Sequence, residues 1–204
     1  MADPLYSPAA DRNKQPILDV LLGILGERGN ALEIACGTGQ HATWFAAAMR
    51  SWVWQPTDAD ARMLPAIADR IAQSGLTNLR PPLLLDVTSP AWRSSPEAAF
   101  AQGFDAIYCA NMLHIAPVDA CAGLMEGAAR HLVPGGMLIT YGPYFEQGSP
   151  APSNIAFDED LRARNPAWGI RRLEDVAAAA HRSGLALRAR HDMPANNLLL
   201  VFSR

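Results

Sequence analysis

The chain has 204 residues, half of them hydrophobic and 18% charged, with a formal net charge of −3. That length suits one domain, at about 100–200 residues per domain, and the composition excludes collagen, coiled coil and intrinsic disorder. A mildly acidic chain lacks the positive excess of a phosphate-driven nucleic-acid binder, so no nucleic-acid partner is expected. Cys36, Cys109 and Cys121 form no C-x-x-C pair and are odd in number, which favours a reducing compartment over a disulfide scaffold. No apolar run approaches the ~18 residues of a membrane-spanning helix, and residues 1–13 lack the basic start and apolar core of a signal peptide. The expectation is a cytoplasmic protein with no membrane segment, a monomer or weak homodimer.

In chain order, Ile17–Leu25 reads as an amphipathic helix. The apolar run Ala31–Ala35 leads into Cys36-Gly37-Thr38-Gly39 and then a helix over Gln40–Met49. Trp52–Gln55 is a second strand, stopped by Pro56. A helix over Ala61–Gln73 closes at Gly75, and Leu83–Leu85 is a third strand ending in Asp86. Phe104–Cys109 is the fourth strand, Val118–Leu132 a helix and Met137–Tyr141 the fifth strand. Such alternation predicts a doubly wound α/β sheet. Tyr144–Ile170 is rich in Pro, Gly, Asn and Ser; so long an irregular stretch is a functional cover or a missed element. Leu173–Ser183 is helical. Leu185–Arg190 and Asn197–Phe202 are a sixth and seventh strand, too close in sequence for a parallel crossover, so they should pair antiparallel.

The strongest chemical signal is Leu32–Ala42, a strand running into glycines and then into a helix. Gly37 and Gly39 permit a tight turn and close approach of a ligand to the backbone. The following helix N-terminus offers free N–H groups. Gly37-x-Gly39-x-x-Ala42 also satisfies a loose dinucleotide pattern. Glu33, four residues before Gly37, shifts the balance: an extra anion gains nothing beside a pyrophosphate but suits a cofactor carrying an ammonium and a sulfonium.

On the pattern Glu33-x-x-x-Gly37-x-Gly39 the chain resembles the class I S-adenosylmethionine-dependent methyltransferases. The resemblance implies a Rossmann-like seven-stranded sheet, mostly parallel with the last strand antiparallel, and helices on both faces. It implies S-adenosylmethionine as cofactor and S-adenosylhomocysteine as product. It places Glu33 near the methionine ammonium, with Ala35, Gly37, Gly39 and His41 around the glycine turn. Asp58 would receive the ribose hydroxyls, and Asp86 with Val87 the adenine. Asn111 and Met112 would line the methyl-transfer side. A closer resemblance, over nearly the whole chain, is to the domain-of-unknown-function 938 family, also called methyltransferase-like 26. It is carried by Ser7–Asn13, Gly37–Ala42, Trp54–Asp58, Ala110–Pro117, Tyr141–Tyr144, Pro152–Asp158, Arg164–Gly169 and Met193–Asn197.

The expected reaction is in-line transfer of a methyl group to an unidentified small-molecule substrate by a single domain, residues 1–204. His114 is the first candidate for a general base because its ordinary pKa lies near neutrality; Tyr141 and Tyr144 stand behind it. Substrate-side candidates are Tyr6, Arg12, Asn13, Asn154, Trp168, Arg172 and Asn197. Residues 1–16 and 144–170 are expected to cover the site or, alternatively, to staple the sheet ends. Arg162, Arg164, Arg171 and Arg172 read as a solvated face, with an acidic substrate as the alternative. No His/Cys/Asp/Glu spacing suggests a metal. An NAD(P)-dependent oxidoreductase and a non-catalytic S-adenosylmethionine-binding module remain alternatives.

Overall fold

Strand termini, rather than strand interiors, carry the candidate chemistry, so the register of the sheet decides which residues meet. The computed structural model describes residues 6–94, 100–148 and 150–204. Residues 1–5 of the expected N-terminal arm and Ser149 of the expected cover lie outside these. The elements run α1 (Pro8–Ile24), β1 (Gly29–Ile34), α2 (Gln40–Ala48), β2 (Trp52–Asp58), α3 (Leu64–Ser74), β3 (Leu83–Leu84), α4 (Pro90–Ser94) and β4 (Phe104–Ala110). They continue as α5 (Asp119–His131), β5 (Leu132–Phe145), α6 (Pro152–Arg164), β6 (Arg171–Arg172), α7 (Leu173–Arg182), β7 (Ala186–Met193) and β8 (Asn197–Ser203).

The sheet order is β3-β2-β1-β4-β5-β8-β7, with β6 pairing β5. β8 runs antiparallel to both β5 and β7, and the other pairings are parallel. The sheet has eight strands rather than the expected seven. The extra one, β6, is two residues long, too short to leave a periodic signal. Order reverses between β1 and β4, and a crevice outside the C-terminal ends of strands at such a switch point is where open α/β sheets bind ligands.

Alternation along the strands feeds two cores. In β5 and β8, Leu138, Tyr144, Leu198, Leu200 and Phe202 pack with α5 and α7 through Leu124, Ala128, Val176 and Ala180. Ile139, Tyr141, Leu199 and Val201 face the other way, onto Ile17 and Leu21 of α1 and Phe45 of α2. Strands buried on both faces read as continuous apolar runs, as β8 does.

Three elements depart from the sequence expectation. α1 begins at Pro8 and runs through Pro16, although an interior proline removes a hydrogen bond and ordinarily breaks a helix. Ser7 caps it by accepting from the Ala10 N–H, with Pro8 in the first turn, the signature of a helix start. α6 occupies much of the stretch read as irregular. Its buried residues are Asn154 and Leu161, so it has almost no apolar stripe to betray it. β2 continues through Pro56 to Asp58. Trp54 and Asp58 bond outward, to Asn78, Arg80 and Leu85, so the missing Pro56 N–H faces the β3 side, where the paired register begins only at Thr57 and Leu83.

Candidate active site

The turn after β1 is built from backbone conformations that few residues adopt. Ala35, Gly37 and Gly39 have φ of 54°, 59° and 72°. Side chains disfavour that left-handed region, and glycine does not. The Cys36 N–H donates to the Thr57 carbonyl (2.8 Å) and the Gly39 N–H to the Cys36 carbonyl (3.1 Å), which ties the turn to β2 and starts α2. A Cβ on Gly37 would meet nothing within 4 Å, so the turn opens onto free space.

That space is a cleft of about 540 Å³, within the ~300–1,000 Å³ usual for small-molecule sites. Of the expected cofactor residues, Glu33, Ala35, Gly37, His41, Asp58, Asp86, Val87, Asn111 and Met112 line it. Gly39 does not. It lies behind the turn, where its Cβ would come 3.2 Å from the Arg70 side chain, and the Arg70 Nε donates to the Thr38 carbonyl (2.7 Å). Sequence reading missed Ser7 and Ala10, which bring the first turn of α1 to the cleft wall, and Ile115, Ala116 and Pro117 on the opposite side. It also missed Gly123 of α5, where a Cβ would sit 2.1 Å from the Val87 carbonyl oxygen; glycine lets α5 press against the loop that presents Val87.

Glu33 is 2% exposed. Its Oε2 accepts from Trp54 Nε1 (2.6 Å), and the Cys36 thiol also bonds to it. Burial raises its pKa to about 8, and the nearby Asp58 adds to the rise. With a pKa of about 8 the carboxyl is largely protonated at pH 7. Asp58 accepts from the Gly37 N–H (2.8 Å) and the Asp60 N–H (2.9 Å), so it locks the turn as well as facing the cleft. Asp86 is exposed and accepts from the Thr88 N–H and hydroxyl, each at 2.8 Å. The Cys36 thiol is buried and its pKa is pushed well up, chiefly by burial, which makes it an inert packing group.

His41 has both ring nitrogens occupied. Nε2 lies 2.7 Å from Asn13 Oδ1 and Nδ1 3.2 Å from the Tyr108 hydroxyl. Burial holds its pKa at about 4, so the ring is neutral. Asn13 Oδ1 can only accept, which assigns the proton to Nε2 and leaves Nδ1 to accept from Tyr108. Asn13 also bonds the Tyr141 hydroxyl. The relay Tyr108–His41–Asn13–Tyr141 fastens α1 to the sheet and accounts for Asn13 and Tyr141. Gln40, bonded to Thr38 and to the backbone of Ser7, fastens the start of α1 in the same way.

His114 sits on a single 3-10 turn, Leu113–Ile115, after β4, and is 7% exposed. Its ring meets Phe157 of α6 edge-on at 5.4 Å. Burial lowers its pKa to about 4, with Arg171 and Arg164 contributing. Tyr144, by contrast, lies on the opposite face of β5 from Tyr141, in the core, donating to Thr140 Oγ1 (2.8 Å). None of the three expected catalytic residues, His114, Tyr141 and Tyr144, is among the residues lining the cleft, although Met112 and Ile115 on either side of His114 are.

The expected substrate residues divide. Tyr6 is exposed and bonded to Asp11, and Arg12 is exposed beside Tyr141. Asn154 is buried, donating to the Asn196 carbonyl, and Asn197 donates to the Pro194 carbonyl, so both brace the turn before β8. Trp168 lies under Arg164, 5.6 Å away. Arg172 pairs with Glu174 and lines a separate depression between α5 and α7. The four arginines read as an alternative anion site are committed elsewhere. Arg162 pairs with Asp158 and Arg164 with Asp160, while Arg171 donates to the Leu113, Ala116 and Ala167 carbonyls. Among the described residues no group of three or more His, Cys, Asp or Glu could hold a metal, and no helix is long and apolar enough to cross a membrane.

This is the mixed α/β fold of methyltransferases. An O-methyltransferase family protein from Burkholderia thailandensis matches with a TM-score of 0.76 at 19% identity, over 96% of this chain and 57% of that one. Mitomycin 7-O-methyltransferase MmcR matches with 0.79 at 16%, over 96% and 54%. CalO1, a methyltransferase in calicheamicin biosynthesis solved with S-adenosylhomocysteine bound, matches with 0.74 at 12%, over 95% and 54%. At these identities the likeness is one of fold, and the chain spans little more than half the length of the structures it matches. The chain itself belongs to the DUF938 family, described as a protein of unknown function, which matches residues 4–204.

Proposed function

We propose that the chain is an S-adenosylmethionine-dependent methyltransferase, working as a single domain on a small-molecule acceptor. One observation carries the reading: Glu33, Asp58 and Asp86 line the cleft, and among the described lining residues there is no Lys or Arg. A nicotinamide dinucleotide would have to set its pyrophosphate beside the Asp58 and Asp86 carboxylates and the Glu33 carboxyl, with no cation in the lining to offset them. A cofactor bearing an ammonium and a sulfonium meets the opposite sign. The buried Glu33 carboxyl, lacking a cation, fits that ammonium, and the open turn at Ala35 and Gly37 fits close backbone approach.

In this reading Glu33 holds the amino group, Asp58 accepts from the ribose hydroxyls, and Asp86 and Val87 hold the adenine. S-adenosylmethionine, when bound, supplies a sulfonium methyl to the lone pair of an acceptor N, O or S, the C–S electron pair leaving on sulfur. The protein's part is to orient the acceptor and exclude water. His114, neutral at pH 7, is available to take the acceptor's proton. Ser7 and Ala10 of α1 and Ile115 close the cleft from two sides.

The test is calorimetric titration of the purified protein with S-adenosylmethionine, S-adenosylhomocysteine and NADH in parallel. Saturable binding of the first two and not the third is expected. Binding of NADH alone, or of none, overturns the reading.

A further inference from the structure

The buried His114 and the half-buried Asn111 are side by side, and neither side chain hydrogen-bonds to any described residue. An unpaired buried polar group costs about 1–3 kcal/mol, so nearly all such groups find partners. Of the other buried histidines, His41 uses both ring nitrogens and His131 bonds the Trp92 carbonyl, whereas Asn78 Oδ1, Glu174 Oε2 and His191 Nε2 are sealed in without a hydrogen-bond partner among the described residues. The His114 nitrogens are not among the sealed, partnerless atoms, so they remain reachable from outside.

Both side chains converge on one point. A Cβ built on Gly142 of β5 would lie 3.5 Å from His114 Nδ1 and 3.7 Å from Asn111 Oδ1. Asn111 reaches it by ending β4 in the left-handed region, φ 57°, with its N–H held by the Tyr141 carbonyl (2.8 Å). Bare glycine at 142 leaves a notch between two polar groups; of the three residues only Asn111 lines the cleft, so Asn111 is the link between the notch and the cleft.

The surroundings of the notch are apolar or already paired. Phe157, 37% exposed, lies against the His114 ring, and Ile115, 45% exposed, lines the cleft. The nearby charges are spent: Asp158 on Arg162 and the Ile170 N–H, Arg164 on Asp160, Arg171 on three carbonyls. A charged acceptor would lose its water there without gaining a partner.

Resting on the methyltransferase reading, we propose that Asn111, His114 and Gly142 form the receptor for the acceptor's nucleophile, and that the acceptor is an uncharged, largely apolar molecule presenting a hydroxyl, its body against Phe157 and Ile115. A hydroxyl must shed its proton as it is methylated, whereas an amine lone pair is free without a base. The proton passes to His114 as the O–CH3 bond forms.

The probe is 2-naphthol, titrated by NMR into protein saturated with S-adenosylhomocysteine, with 2-naphthoate and glycerol as comparators. Saturable 2-naphthol binding that moves the His114 ring resonances is expected, with 2-naphthoate at least tenfold weaker and glycerol without effect. Gly142→Ala fills the notch with a methyl at ordinary contact distance. Phe157→Ala removes an exposed ring without touching the core. Each should weaken 2-naphthol at least tenfold and leave S-adenosylhomocysteine affinity within twofold. The proposal is overturned if 2-naphthoate or glycerol binds as well as 2-naphthol. It fails equally if His114 does not respond or both variants bind 2-naphthol normally while S-adenosylhomocysteine still binds. Failure of wild-type protein to bind S-adenosylhomocysteine overturns the cofactor reading instead.

Discussion

The two sides of the cleft are made differently. The side formed by the ends of β1, β2 and β3 is a set of backbone turns and strand-terminal acids, bonded to residues a few positions away and tied to one another by Gly37 N–H to Asp58 and Cys36 N–H to Thr57. Asp86 bonds Thr88, Asp58 bonds Asp60, and Gly39 bonds Cys36. The side formed by the start of α1 and the segment after β4 depends on side chains of separate elements: His41 bonds Asn13 of α1, and His114, set back from the lining, packs against Phe157 of α6. The first side is set by strand ends and their pairing, whereas the second needs α1 docked on the sheet.

Substitutions should separate the two. The largest effect is expected at Asp58→Ala, which removes the anchor of the Gly37 N–H and the proposed ribose acceptor. S-adenosylmethionine affinity should fall about 100-fold, or about 2.7 kcal/mol, while His114→Ala leaves it within twofold. Equal losses in calorimetry would erase the distinction.

Next comes Asn13→Ala. It strands the His41 Nε2–H and the Tyr141 hydroxyl, at a cost of about 1–3 kcal/mol in folding stability by denaturant titration, with the glycine turn itself intact. A loss confined to cofactor affinity would mean that α1 belongs to the cofactor side.

The smallest effect is at Glu33. Burial, with a smaller contribution from Asp58, raises its pKa to about 8, against the opposing hydrogen bonds from Trp54 and Cys36. A bound ammonium favours the ionised form, so affinity for S-adenosylmethionine should rise from pH 6 to pH 8 and then level off. Stability runs the other way. The raised pKa contributes stability that is complete below the ordinary carboxyl value of 4.5 and is lost as pH climbs through 8. Glu33→Gln should flatten both profiles and weaken binding about tenfold, or about 1.4 kcal/mol at pH 8.

Much of the first side was legible in the sequence. Glu33, Ala35, Gly37, Asp58, Asp86 and Val87 follow from a strand running into glycines and from acids ending strands, and all line the cleft. Much of the second was not. The Ser7-Pro8 start of α1 is a readable signal that Pro16 overrode. α6 offers little to read, since it buries Asn154 and exposes Ile155 and Phe157. Tyr141 and Tyr144, three residues apart, fall on opposite faces of β5 and so part company as candidate bases.

By itself, then, the order of residues determined the alternating α/β plan, the antiparallel β8 and the cofactor edge, because strand period, turn conformation and helix start are set by contiguous residues. Only the tertiary structure decided which polar groups are spent and which are free. His41 and the four arginines found partners on other elements or close by in sequence, and His114 found no hydrogen-bond partner among the described residues. That difference rests on packing, where each buried donor or acceptor either meets a group brought from a distant part of the chain or waits for one that is not part of it.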